Sequence, residues 1–172
     1  MKAVVVLSVM VLIVAGCGSS STASASPTPS TPTASPSANG PVVACNLVTQ
    51  SEASALAGVT LTAITPSGGT ATTSCEYVSA ARTAEVLVGA KEYSDAASAR
   101  AAYQTAAQQT VQKQLTPVPV SGVGDAAVIF HNGTIIDVLA FAKGSWAVVI
   151  LVHPPASDSG LTAAGVTAAG RM

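Results

Sequence analysis

The chain has 172 residues, of which 49% are hydrophobic, 9% charged and 3% aromatic, with a formal net charge of -1. Average soluble proteins carry about 25% charged residues; this chain has neither a basic patch to hold nucleic acid nor an acidic run to keep a segment unfolded. Its apolar excess is mostly alanine and valine, and no window supplies the ~20 consecutive apolar residues of a spanning helix.

At the N-terminus Lys2 precedes an apolar run from Ala3 to Ala15, the charged and hydrophobic regions of an export signal. The run ends in Val14-Ala15-Gly16-Cys17: branched aliphatic, small residue, glycine, cysteine. That order resembles the lipobox of bacterial lipoproteins. The resemblance implies removal of residues 1–16 and a diacylglyceryl thioether on Cys17. Two or more acyl chains make a stable membrane anchor, at ~0.8 kcal/mol per buried CH2. The alternatives for this segment are a buried core cysteine and an uncleaved membrane helix. After Cys17, residues up to Pro41 are almost entirely Ser, Thr, Ala, Pro and Gly, without charge or aromatic side chain. Such a segment cannot bury enough apolar surface to offset the entropy of ordering. Residues 17–41 are therefore expected to be a disordered tether, with a coil dimension of roughly 25–30 Å and an extended reach of about 75 Å.

Residues 42–172 are expected to fold as one domain. Thr49 and Glu52 form the S/T-x-x-E capping box of a short helix that Gly58 ends. Val59 to Ile64, Ser74 to Ser79 and Ala84 to Tyr93 read as strands. Ser94 caps a longer helix from Asp95 to about Gln112, with Ala96, Ala99, Tyr103, Ala106 and Thr110 on one stripe. Pro117 and Pro119 forbid its continuation. Residues 126–153 read as three antiparallel strands, turned at Asn132-Gly133 and Lys143-Gly144 and ended by Pro154-Pro155. Ser157 opens a final helix weakened by Gly160 and Gly165. The predicted class is α+β, in the order αβββ-αβββ-α: a predominantly antiparallel sheet with helices on one side.

Two-residue turns fix side-chain parity. They place Val128, Phe130, Asp137, Leu139, Phe141, Trp146, Val148, Ile150 and Val152 on one face, which is expected to meet the helices. Ile129, His131, Val138, Ala140, Ala147, Val149, Leu151 and His153 fall on the other. That second face is also apolar, so another element of the chain, a ligand or a partner subunit is expected to cover it.

Cys45 and Cys75 are the pair left beside Cys17. In an exported chain they are expected to form a disulfide; the rivals, a metal or redox site, lack a C-x-x-C or a Cys/His cluster. His131 and His153 are the only histidines, and this register puts them at the same end of one face. They read as strand-end surface residues or as ligands of a shared metal, with no carboxylate evident beside them. Asp137, an acid on the bulky face, needs a partner such as Arg82, Lys91 or Arg100, or marks an active site. Trp146 reads as core or as a binding aromatic. Gly122-Val123-Gly124-Asp125-Ala126-Ala127 imitates a dinucleotide fingerprint, but it opens a strand instead of a helix. Its glycines are assigned to a tight turn or approach. With no nucleophile elbow or ordered Ser/His/Asp set, no catalytic residue, metal or cofactor is assigned.

The lipobox, the Ser/Thr/Pro tether, "ACNLVTQSEASALAG", "SCEY" and "VSGVGDAA" together resemble small actinobacterial cell-envelope lipoproteins with an uncharacterised α+β domain. The resemblance implies an exported, lipid-anchored protein on the extracytoplasmic face of the cell membrane and a Cys45–Cys75 bridge. The expected function is a non-catalytic module that binds an envelope ligand or protein. The alternatives are an envelope enzyme acting on wall or lipid substrates through Asp137 or His131 and His153, and a structural or assembly role.

Overall fold

A computed structural model describes residues 41–68, 72–111 and 115–172. A single helical turn, α1 (Ala44–Leu47), and helix α2 (Gln50–Ala57) precede strands β1 (Thr62–Gly68), β2 (Thr72–Val78) and β3 (Glu85–Glu92). Helix α3 (Ala96–Val111) then leads to β4 (Pro117–Val120), β5 (Ala126–Asn132), β6 (Ile136–Lys143) and β7 (Trp146–His153), and α4 (Asp158–Gly170) closes the chain. The seven strands form one sheet, ordered β1-β2-β3-β7-β6-β5-β4, with every neighbouring pair antiparallel. The fold is thus α+β with a mostly antiparallel sheet. Its order differs from αβββ-αβββ-α by two elements, α1 and β4. Proline cannot donate to a sheet ladder and is tolerated at edges, which is where β4, with Pro117 and Pro119, lies.

Capping of α2 follows the sequence, and that of α3 is displaced by one residue. Glu52 Oε2 accepts the Thr49 N–H at 2.8 Å and Thr49 Oγ1 accepts the Glu52 N–H at 3.4 Å, the reciprocal box that satisfies two orphan donors. Asp95, not Ser94, caps α3: its carboxylate accepts the Ser98 N–H at 2.7 Å. That bond is the main reason its carboxyl is held below the ordinary value. Ser157 Oγ accepts the Gly160 N–H at the start of α4.

Helices occupy both faces of the sheet, which corrects the one-sided expectation. Because β3 pairs with β7 in the sheet interior, α3 must carry the chain from β3 to β4 at the far edge. On the way it packs Ala99, Tyr103 and Ala107 against Val128, Phe130, Val138, Ala140 and Val149. Residues of α1, α2 and α4 pack on the other face with Val86, Val88, Ile129, Leu139, Phe141 and Ile150. The second apolar face is therefore covered, over β5 to β7, by the chain itself.

A second correction concerns the β5–β6 hairpin. Asn132 pairs with Ile136, so three residues separate the strands in place of two. One extra loop residue inverts the parity of a whole strand. His131 and Ile129 consequently share the face of Asp137 and Leu139, while Val128 and Phe130 turn toward α3. In the β6–β7 turn the loop keeps two residues but moves by one, with Lys143 opposite Trp146. Parity survives there, and Trp146, Val148, Ile150 and Val152 lie as predicted with Leu139 and Phe141.

Two glycines permit close approaches. Gly124 has φ +54°, and a Cβ there would sit 2.4 Å from the Ala142 carbonyl oxygen. The next residue donates its N–H to that same oxygen at 2.7 Å, so the Gly-Val-Gly segment seats β5 on β6, as its sequence suggested. Gly165 lies in α4, where a Cβ would meet Leu139 Cδ2 at 2.4 Å and Val123 Cγ1 at 2.9 Å. The residue that lowers helix propensity is also what lets α4 lie flat on the sheet.

Candidate ligand groove and histidine bridge

Helices α2 and α4 lie on the same face of the sheet, and the surfaces they turn to each other are small. Ala55 and Leu56 of α2 face Gly160, Ala163, Ala164 and Thr167 of α4. Such side chains cannot fill the space between two helices, and a groove of about 290 Å³ remains, completed by Val48, Glu52, Ala156 and Ser157.

Its one ionised side chain is already engaged. Arg171, just beyond α4, donates from Nη1 and Nη2 to both Glu52 carboxylate oxygens at 2.7 Å, and from Nη1 to the Leu47 carbonyl at 2.7 Å. This fork holds the Glu52 carboxyl at about 2, against an ordinary 4.5, with burial opposing and the Thr49 bonds assisting. The other polar liners are hydroxyls spent locally: Thr167 donates to the Ala163 carbonyl and Ser157 caps α4. The groove therefore presents apolar walls with no free charge.

The Glu52–Arg171 pair has a pH signature. A carboxyl whose folded value is depressed stabilises fully above its unfolded value, and that contribution is lost as pH falls toward the folded one. Both side chains are about one-third exposed, at 35% and 34%, so solvent screening limits the contribution to about 1 kcal/mol. Glu52→Gln is expected to destabilise the protein by that amount at neutral pH. In urea titrations the difference from wild type should close as pH falls from about 4.5 to about 2; a gap that persists there would contradict this account.

Beside the groove, three further contacts join the Arg171–Leu47 bond in holding α1 and its C-terminal end. Cys45 is bonded to Cys75 of β2, with Cα atoms 5.1 Å apart. The buried Tyr77 hydroxyl donates to the Val48 carbonyl, with the Cys45 carbonyl at 3.4 Å. Burial, then the nearby Glu52 charge, pushes its phenol up. Thr73 Oγ1 accepts the Ala44 N–H at 3.0 Å.

The remaining predicted residues distribute unevenly. Cys17 and the tether as far as residue 40 lie outside the described residues. Trp146 is 9% exposed and belongs to the core; it does not line the groove. Asp137 is 3% exposed, and its partner is His131, not Arg82, Lys91 or Arg100. The inverted parity of β5 makes the two cross-strand neighbours, with Nδ1 2.9 Å from Oδ1. Arg100 instead approaches Asp125, at 3.8 Å, and Lys91 Nζ stands 5.1 Å from the Tyr93 ring centroid. His131 Nε2 lies 3.6 Å from Asp158 Oδ1 at the start of α4. His153 falls opposite Glu85, on the α3 face. The two histidines therefore lie on opposite faces and cannot share a metal as their predicted register suggested. Among the described residues no group of three or more His, Cys, Asp or Glu side chains is arranged to hold a metal ion.

Neither the groove nor the Glu52–Arg171 fork was legible beforehand, because the partners lie 119 residues apart. Among the described residues no helix is long and apolar enough to cross a membrane. Comparison with protein-family models and with curated proteins finds no match.

Proposed function

We propose that this protein is a lipid-anchored extracytoplasmic lipoprotein of the actinobacterial cell-envelope type, held at the membrane through Cys17, whose folded domain is a non-catalytic binding module. The observation that carries the binding role is the α2–α4 groove, with its apolar walls and its single carboxylate neutralised by Arg171. An uncharged, apolar ligand or segment suits such a site, because nothing in it rewards a charge. The disulfide supports export, since such bonds persist in oxidising compartments. It also leaves Cys17 as the third cysteine of the sequence, unclaimed by the bridge.

A second reading, an envelope enzyme, would rest on the His131–Asp137 pair. A buried carboxylate orienting a partly exposed imidazole is half of a general-base arrangement. The outer nitrogen of that ring, however, faces the Asp158 carboxylate, where a nucleophile or substrate proton would be needed. The binding reading fits the geometry better.

The test has two arms. Metabolic labelling with a clickable fatty acid is expected to tag wild type and to fail with Cys17→Ala; equal labelling refutes the anchor. Phenylnaphthylamine, an uncharged fluorescent probe, is expected to bind wild type, and Ala163→Phe, at an exposed groove position, to weaken it roughly tenfold, or about 1.4 kcal/mol. Unchanged binding in that variant would remove the groove as the site.

A further inference from the structure

His131 touches two carboxylates at once. Asp137 of β6 lies 2.9 Å from Nδ1, and Asp158 of α4 lies 3.6 Å from Nε2. An ionised carboxylate only accepts hydrogen bonds; neutral imidazole has one N–H to donate and imidazolium has two. The two acids also differ in what they can lose. Asp137 is buried, and leaving it without a donor would cost its full desolvation. Asp158, with 63% of its side chain exposed, can turn to water. A neutral ring therefore serves Asp137 and points a lone pair at Asp158, whereas a charged ring donates to Asp137 and attracts Asp158 across 3.6 Å as an ion pair. No lysine or arginine among the described residues ion-pairs with either acid. From β6 the ring meets only the Asp137 charge and from α4 only that of Asp158, while Arg171 is engaged with Glu52.

Asp158 directly follows Ser157 and lies two residues before Gly160, both of which line the groove. We propose that protonated His131 latches the first turn of α4 to the sheet, and that its deprotonation releases this turn and loosens the wall of the α2–α4 groove. The effect on ligand rests on the groove being the binding site; the latch itself does not.

Amide hydrogen exchange of the full chain tests this at Gly160 and Leu161, whose N–H groups are held by Ser157 at 3.2 Å and 3.0 Å. Histidine ordinarily changes charge between about pH 5 and about pH 8. Across that range, after correction for intrinsic exchange chemistry, protection of these two amides is expected to fall about two- to fivefold in wild type, the range of an exposed ion pair. Asp158→Ala removes the exposed partner, leaves the buried pair intact, and should make protection independent of pH. His131→Gln, which keeps an amide donor for Asp137, should do the same. A flat wild-type profile, or an Asp158→Ala profile as steep as wild type, overturns the latch. Phenylnaphthylamine affinity followed over the same range should change in wild type and stay level in Asp158→Ala. Wild type that takes up no probe overturns the groove reading alone; pH-independent exchange overturns the latch alone.

Discussion

Replacing both bridge cysteines, Cys45→Ala with Cys75→Ala, is expected to destabilise the protein by about 3–4 kcal/mol in the chain-entropy account. The bond closes a loop with a sequence separation of 30. The loss should exceed that of an ordinary surface change because α1 is too short to persist by itself. It is four residues long and has no side-chain cap at Val43, and an isolated turn does not persist in water. Melting followed by calorimetry should show a drop of roughly 10 °C, and wild type under strong reductant should behave likewise. A melting point within a degree or two of wild type would mean that Tyr77, Thr73 and Arg171, with the burial of Ala44 and Leu47, hold α1 without the bridge.

Gly124→Ala is expected to cost about 3 kcal/mol, from two sources. A left-handed backbone costs an alanine about 1–2 kcal/mol. Overpacking adds about 1–3 kcal/mol, because the atom in the way is a backbone carbonyl that already accepts from Asp125. Gly122→Ala separates the two. Gly122 has φ +82° and nothing within 4 Å of an added Cβ, so it should lose only the backbone part. Equal urea midpoints for the two variants would show that the approach to Ala142 is unimportant.

What the sequence revealed and concealed divides by range of interaction. The capping box at Thr49 and Glu52 and the glycine-rich approach to β5 are local, and their residues announce them. The β4 strand was hidden because prolines argue against strand and only an edge forgives them. The side taken by α3 depends on strand order, which no local pattern encodes. Most instructive is Asn132-Gly133, a strong two-residue turn signal: here Asn132 stays paired in β5 and the connection is the three residues 133–135. That single residue decides whether Asp137 meets His131 or stands alone, so loop length sets the chemistry at this end of the sheet. Cys45 and Cys75 were readable as a pair, and are bonded, because cysteine chemistry survives ignorance of the fold.

The position of the bridge also matters mechanically. Val42 is 7% exposed and Ala44 fully buried, so the domain's core takes in residues directly after the end of the Ser/Thr/Pro segment. Any tension applied to residue 41 loads only Val42 to Ala44 before reaching Cys45. There a covalent bond transfers it to β2, a strand hydrogen-bonded on both sides within the sheet. Force entering at residue 41 is thus passed through the first half of α1 to β2, and leaves α2 and α4, whose side chains line the groove, outside the load path.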